Sequence, residues 1–183
     1  MINRVSLLIV ISMIFFSQNN NPVLSNGLDG NQSNQDIYRE IGYTTVDAAA
    51  EQFEKHFKQR LKLPLRVPPI AFTHIMGRVN DLEGSDKDSF EVKYINVKNP
   101  DNHYKINIRP VQHKLQYKNE EINKGITLKD GNKAVYLNHS GFNVLVFEKG
   151  SWQYMLSINK KAADMMLPGT LVQIANSIEA QES

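Results

Sequence analysis

Apolar residues recur every three or four positions in "TTVDAAAEQFEKHFKQRLKL", residues 44–63. Val46, Ala49, Ala50, Phe53, Phe57 and Leu61 form one stripe with charges between them, the pattern of an amphipathic helix. Thr44 with Asp47 three residues on suits a capping box. Asp47 and Glu51 fall early while Lys58, Arg60 and Lys62 fall late, which complements the helix dipole. Pro64 is expected to stop the helix, and "PLRVPP" to run as an extended connector.

Past that connector the period changes from about 3.6 to two. "HIMGRVN" reads as a strand ending near Asn80. "FEVKYINV" alternates Phe90, Val92 and Tyr94 against Glu91 and Lys93, and "HYKINIRP" alternates Tyr104, Ile106 and Ile108 against Lys105, Asn107 and Arg109. In "GITLKDGNKAVYLN" the dipeptide Asp130-Gly131 separates two β-prone runs, a strong hairpin signal. "FNVLVFEKGSWQYMLSI" is a second hairpin turning at 149–151, with Trp152, Tyr154, Leu156 and Ile158 on one face. "KKAADMM" suits a helical turn. Leu171, Ile174, Ala175 and Ile178 then repeat at helical spacing. The expected class is α+β: five to seven antiparallel strands in meander order, with an N-terminal and a C-terminal helix packed on one face. Polar residues on the alternate positions imply a sheet covered on one side only.

The end of the chain resembles a known family. Trp152-x-Tyr154-x-Leu156-Ser157, a short loop, then Leu171-x-x-Ile174-Ala175-x-Ser177-Ile178 is similar to an extracytoplasmic domain of unknown function from Gram-positive spore-forming bacteria. Its members are small exported proteins or lipoproteins and the outer part of some membrane-bound anti-sigma factors. The resemblance implies an α+β fold, action outside the cytoplasm and no established catalytic residues. This chain differs from the lipoprotein members in lacking a cysteine, and from the regulators in lacking a long spanning segment.

Composition adds the compartment. "MINRVSLLIVISMIFFSQNNNPVLSNG" opens with Arg4, runs apolar from Val5 to Phe16, and then offers Val23 and Ser25 at the spacing of a signal-peptidase site. The apolar run is shorter than the roughly 20 residues a spanning helix needs. The expected organisation is a signal peptide over 1–25, a flexible leader over 26–36 and one α+β domain over 37–183. The chain has no cysteine, so no disulfide supports the fold even in an oxidising compartment. With 21 basic and 19 acidic residues interspersed, the net charge of +2 gives no nucleic-acid signature.

Candidate chemistry is sparse. Asp81, Glu83, Asp86 and Asp88 flank Gly84 in a loop whose oxygens suit calcium. Their order departs from an EF-hand, which needs glycine sixth and glutamate twelfth, and a solvated turn accounts for the same residues. No two of His56, His74, His103, His113 and His139 are closer than ten residues, so a zinc pair on one helix turn is excluded. His74 could meet His103 or His113 across strands, beside Arg78, Asp81 and Glu83, to form an acid–base or metal-dependent hydrolase centre. Neither a cysteine nucleophile nor a Gly-x-Ser-x-Gly elbow is present, and His139 and Ser140, adjacent on an extended chain, point apart. Trp152 and Tyr154 suit the sheet core; the competing role is the wall of a groove for a lipid tail or peptide. The leading expectation is an exported, non-catalytic envelope module, its ligand-contacting residues being His74, Arg78, Trp152 and Tyr154. Its partner would be an envelope protein, a peptide or a lipid.

Overall fold

The alternating runs become seven strands: β1 His74–Asn80, β2 Ser89–Ile95, β3 His103–Pro110, β4 Ile122–Thr127, β5 Lys133–Leu137, β6 Phe142–Lys149 and β7 Trp152–Asn159. The computed structural model describes residues 36–82, 87–137, 139–167 and 169–178. The expected signal peptide and nearly all of the expected leader fall outside these residues, as do Glu83 and Asp86. The strands make one antiparallel sheet in the order β1-β2-β3-β7-β6-β5-β4. The class is therefore α+β, but the sheet is two meanders joined at β3 and β7 rather than one meander in chain order. The two strands at the join bury Tyr104, Ile106 and Ile108 and Trp152, Tyr154, Leu156 and Ile158. Central positions suit such strands, because each gains neighbours on both edges. The polar "INKGIT" of β4 lies at the rim, where a lysine and a glycine discourage further pairing.

Register fixes the two faces. Phe90, Ile108, Tyr154, Phe147, Ala134 and Ile126 line up across six strands on what we call the core face. The first long helix, α1 (Val46–Phe57), packs there: Phe53 lies 5.8 Å from the ring of Phe90 and 5.1 Å from that of Trp152. A short α2 (Lys160–Ala163) follows β7, then α3 (Thr170–Ala175). Ala162, Leu171, Ile174 and Ala175 join the same apolar cluster as Phe53. Burial of each large side chain there contributes about 1.5–3 kcal/mol.

Two details of α1 differ from the sequence pattern. Its cap is Thr45, whose hydroxyl accepts from the Ala48 N–H at 3.2 Å. Thr44 instead pairs with Gly77 in both directions, at 2.8 and 2.9 Å, and covers part of the β1 edge. The helix also stops before Pro64, because Lys58 turns left-handed at φ 52°. The chain beyond is claimed by tertiary contacts: Trp152 Nε1 donates to the Arg60 carbonyl at 3.0 Å, Tyr154 donates to that of Lys62 at 2.9 Å, and Glu54 accepts from the Leu61 N–H at 2.6 Å. Among the described residues, no helix is long and apolar enough to cross a membrane.

Gly77 marks the closest approach of α1 to β1. A Cβ built there would stand 2.9 Å from the Ala49 Cβ and 2.9 Å from the Val46 Cα. Gly77→Ala is expected to lower stability by about 1–3 kcal/mol in urea unfolding. Gly125→Ala in β4 meets no atom within 4 Å and should change it by less than about 0.5 kcal/mol. Equal effects would contradict the packing of α1 on β1.

Candidate functional site

The second face of the sheet, the back face, carries Arg78, Glu91, Lys93, Lys105, Gln153, Met155 and Ser157, the alternate set to the core residues. Alternation alone implies that this face is wet. In fact two segments cover parts of it, and Glu91, Gln153 and Ser157 are buried.

The first cover is the segment before α1. Tyr43 donates its hydroxyl to the Glu91 carboxylate. Around that carboxylate stand Lys105 Nζ at 3.2 Å, Arg78 Nη2 at 3.7 Å and Lys93 Nζ at 4.0 Å. Arg78 lies 4.6 Å over the Tyr43 ring, and Lys93 sits over both Tyr43 and Tyr38. The chain thus wraps the β1 edge, with Tyr38 and Tyr43 on the back face, Thr44 on the edge and α1 on the core face. Burial works to raise the Glu91 pKa, but the Tyr43 hydrogen bond and the neighbouring lysines outweigh it and hold the carboxyl below its ordinary value. Burial also pulls Lys93 down, helped by Lys105 and Arg78 and opposed by Glu91.

The second cover is residues 111–121. Four successive antiparallel pairings separate β3 from β4, so the two strands run parallel, and their connection must return the length of the sheet. It does so as a strap over the back face. Gln153 clamps it at one residue: its Oε1 accepts from the Leu115 N–H at 2.9 Å, and its Nε2 donates to the Leu115 carbonyl at 3.0 Å. Lys114 pairs with Glu148 at 2.7 Å.

Between strap and sheet lies a cavity of about 290 Å³. Leu115 and Tyr117 come from the strap. Lys105, Ser157, Val144 and Leu137 form one transverse row of the floor, across β3, β7, β6 and β5. Met155, Phe142, His103, His139 and Glu121 complete the wall. The His103 ring meets Phe142 edge-on at 5.7 Å. His103 Nε2 and the Tyr117 hydroxyl are buried without a hydrogen bond. Burial, with Lys93 and Lys105 adding, lowers the His103 pKa, so the ring is neutral at pH 7. Burial pushes the Tyr117 phenol up to about 12, keeping it a protonated donor.

The residues singled out by sequence sort differently. Arg78 belongs to the Glu91 cluster. His74 lies on the edge strand with its Nδ1 2.9 Å from the Thr73 hydroxyl, in an open recess with Tyr38, Arg39 and the exposed Ile75. Trp152 and Tyr154 are 1% exposed and face the core, where they hold the connector after α1. Ile95 stands between His74 and His103 in the register, and His113 lies in the turn Val111–His113 at the far end of β3. The sheet thus separates the three histidines proposed for a hydrolase centre.

In the acidic loop, Asp81 is exposed with φ 45°, whereas Asp88 is buried 3.8 Å from His56. Among the described residues, no three His, Asp or Glu side chains converge as a metal set. The residues missed by sequence, Tyr43, Glu91, Lys105, Leu115, Tyr117 and Gln153, meet only through pairings and covers distant in the chain. The one available signal was a lone glutamate between Phe90 and Val92 in a strand otherwise rich in apolar residues. No protein-family model, curated protein or solved structure matches the chain.

Because the Glu91 carboxyl is held below its ordinary value, its contribution is full above the unfolded value of 4.5 and fades as pH falls through the lower folded value. Glu91→Gln is expected to cost about 3 kcal/mol at pH 7, since three cations lose their partner, and to flatten the acid limb of stability against pH. Denaturant melts between pH 2 and 7 check both; an unchanged acid limb contradicts the assignment.

Proposed function

We propose that this chain is an exported, non-catalytic binding or sensing module of the cell envelope, and that its ligand site is the cavity beneath the strap. One observation carries the reading: a connection pinned through Gln153 roofs a cavity whose floor joins the polar Lys105 and Ser157 to the apolar Val144 and Leu137. Such sites are concave and mainly apolar, with a few placed polar groups. The recess beside His74 is larger but lies at an open edge lined by Arg39 and exposed Ile75. In this reading, the helices near both ends of the domain form one layer on the core face, leaving the back face for strap and ligand.

The leader pattern at residues 1–25 supports export. The resemblance over Trp152–Ile178 to the extracytoplasmic domain of spore-forming bacteria supports an envelope role, with an envelope protein, peptide or lipid as partner. The proposal assigns no catalytic residue and no cofactor. His74 and His103 stand two strands apart with Ile95 between them, and His113 lies at the far end of β3.

Two measurements test it. Mass spectrometry of the protein from envelope and culture fractions should find the leader removed near residue 25, and an intact Met1 would overturn export. In a methionine-methyl NMR spectrum, a lipid-soluble envelope extract should shift the Met155 resonance while that of Met76, buried on β1, stays in place. A spectrum in which Met155 does not move contradicts the cavity as the site.

A further inference from the structure

The cavity has a chemical direction. Lys105 and Leu137 stand at opposite ends of the floor row Lys105–Ser157–Val144–Leu137. Three strand spacings of about 4.8 Å separate them by roughly 14 Å. His103 lies on the same strand face as Lys105, two residues before it. Leu137 and Val144 are apolar, and Phe142, on β6 with Val144, adds its ring to the wall.

Charge reinforces this direction. Around Glu91, three cations, Arg78, Lys93 and Lys105, face one carboxylate. Positive charge is therefore in excess at the Lys105 end. Lys105 is the cation of the three that lines the cavity, and its side chain is 37% exposed. The acid of the wall, Glu121, precedes Ile122, the partner of Leu137, and so lies at the other end. Its carboxylate is held by the Lys118 N–H at 2.7 Å. An anion entering the cavity is drawn toward Lys105 and repelled from Glu121.

Two polar groups of the wall are buried behind this surface. His103 Nε2 and the Tyr117 hydroxyl have no partner inside the protein, and buried polar groups without partners are costly.

We infer that the cavity binds a medium-chain carboxylate, its head at Lys105 beside His103 and its tail over Val144 and Leu137. At about 30 Å³ per water-sized group the cavity takes about ten non-hydrogen atoms, the size of octanoate. This inference rests on the cavity being the binding site, and it adds the ligand class and its orientation.

Isothermal titration calorimetry of the full mature chain with octanoate, octan-1-ol and butyrate separates the two claims. Octanoate is expected to bind at least tenfold more tightly than octan-1-ol, and butyrate, lacking the tail, at least tenfold more weakly than octanoate. Raising the salt should narrow the gap between octanoate and octan-1-ol. Lys105→Met should reduce that gap to less than threefold, with octan-1-ol affinity retained as the sign that the cavity is intact. Octan-1-ol binding as well as octanoate would overturn the carboxylate inference while leaving the cavity as a site. No binding of either eight-carbon probe at millimolar concentration would overturn both. The ligand series needs no variant, so a poorly folding Lys105→Met leaves the test decisive.

Discussion

The pairing of β3 with β7 is the contact on which the rest of this structure depends. It joins residues about fifty positions apart, from Tyr104 opposite Ile158 to Pro110 opposite Trp152. Without it the chain is two separate meanders, neither able to bury its apolar face fully. With it, β3 and β7, whose core-face residues are almost fully buried, occupy the centre and α1 can reach Phe90 and Trp152 together. The same pairing carries a topological consequence. Because β3 then lies four strands from β4, the connection between them must cross the sheet. The strap, and hence the cavity beneath it, follows from where β3 finds its partner.

The back face shows how polar residues can be buried without a large penalty. A carboxylate removed from water is destabilising unless it is paired and hydrogen-bonded. Glu91 has both, through Tyr43 and three cations drawn from β1, β2 and β3. Tyr38 and Tyr43 add aromatic faces beneath those cations, so the segment before α1 is held by charge and π contacts rather than by apolar burial. Gln153 plays the corresponding part for the strap: its amide satisfies both backbone groups of Leu115, which lies over the sheet. Back-face positions that look solvated are here the anchors of two covering segments.

Several elements were legible because their causes are local. "HYKINIRP" predicts β3 residue for residue, since period two and turn residues on either side bound it. Asp130-Gly131 marked its hairpin because Gly131 supplies φ 86°. The end of α1 was not legible. Residues 58–63 keep helical spacing, yet Trp152 and Tyr154 take the carbonyls of Arg60 and Lys62 and draw the chain out of the helix. Those two aromatics, considered as ligand contacts, hold a connector to the core. The acidic loop drew attention because composition is visible in sequence, whereas the Glu91 cluster was hidden because its members are scattered from residue 43 to 105.

By itself, the sequence determined the α+β class, the runs that become strands, the hairpins, the core face and a leader pattern suited to export. These depend on periodicity, turn chemistry and composition, all of which act over a few residues. Tertiary structure alone decided which strand stands beside β3, where the strap runs, and that the polar face of the sheet is covered. Those are choices between pairings of similar local merit, settled by which arrangement buries the most apolar surface while leaving Glu91 and Gln153 with partners. The candidate site belongs to this second class: each of its residues is ordinary in its own strand, and only the crossing of the sheet brings them together.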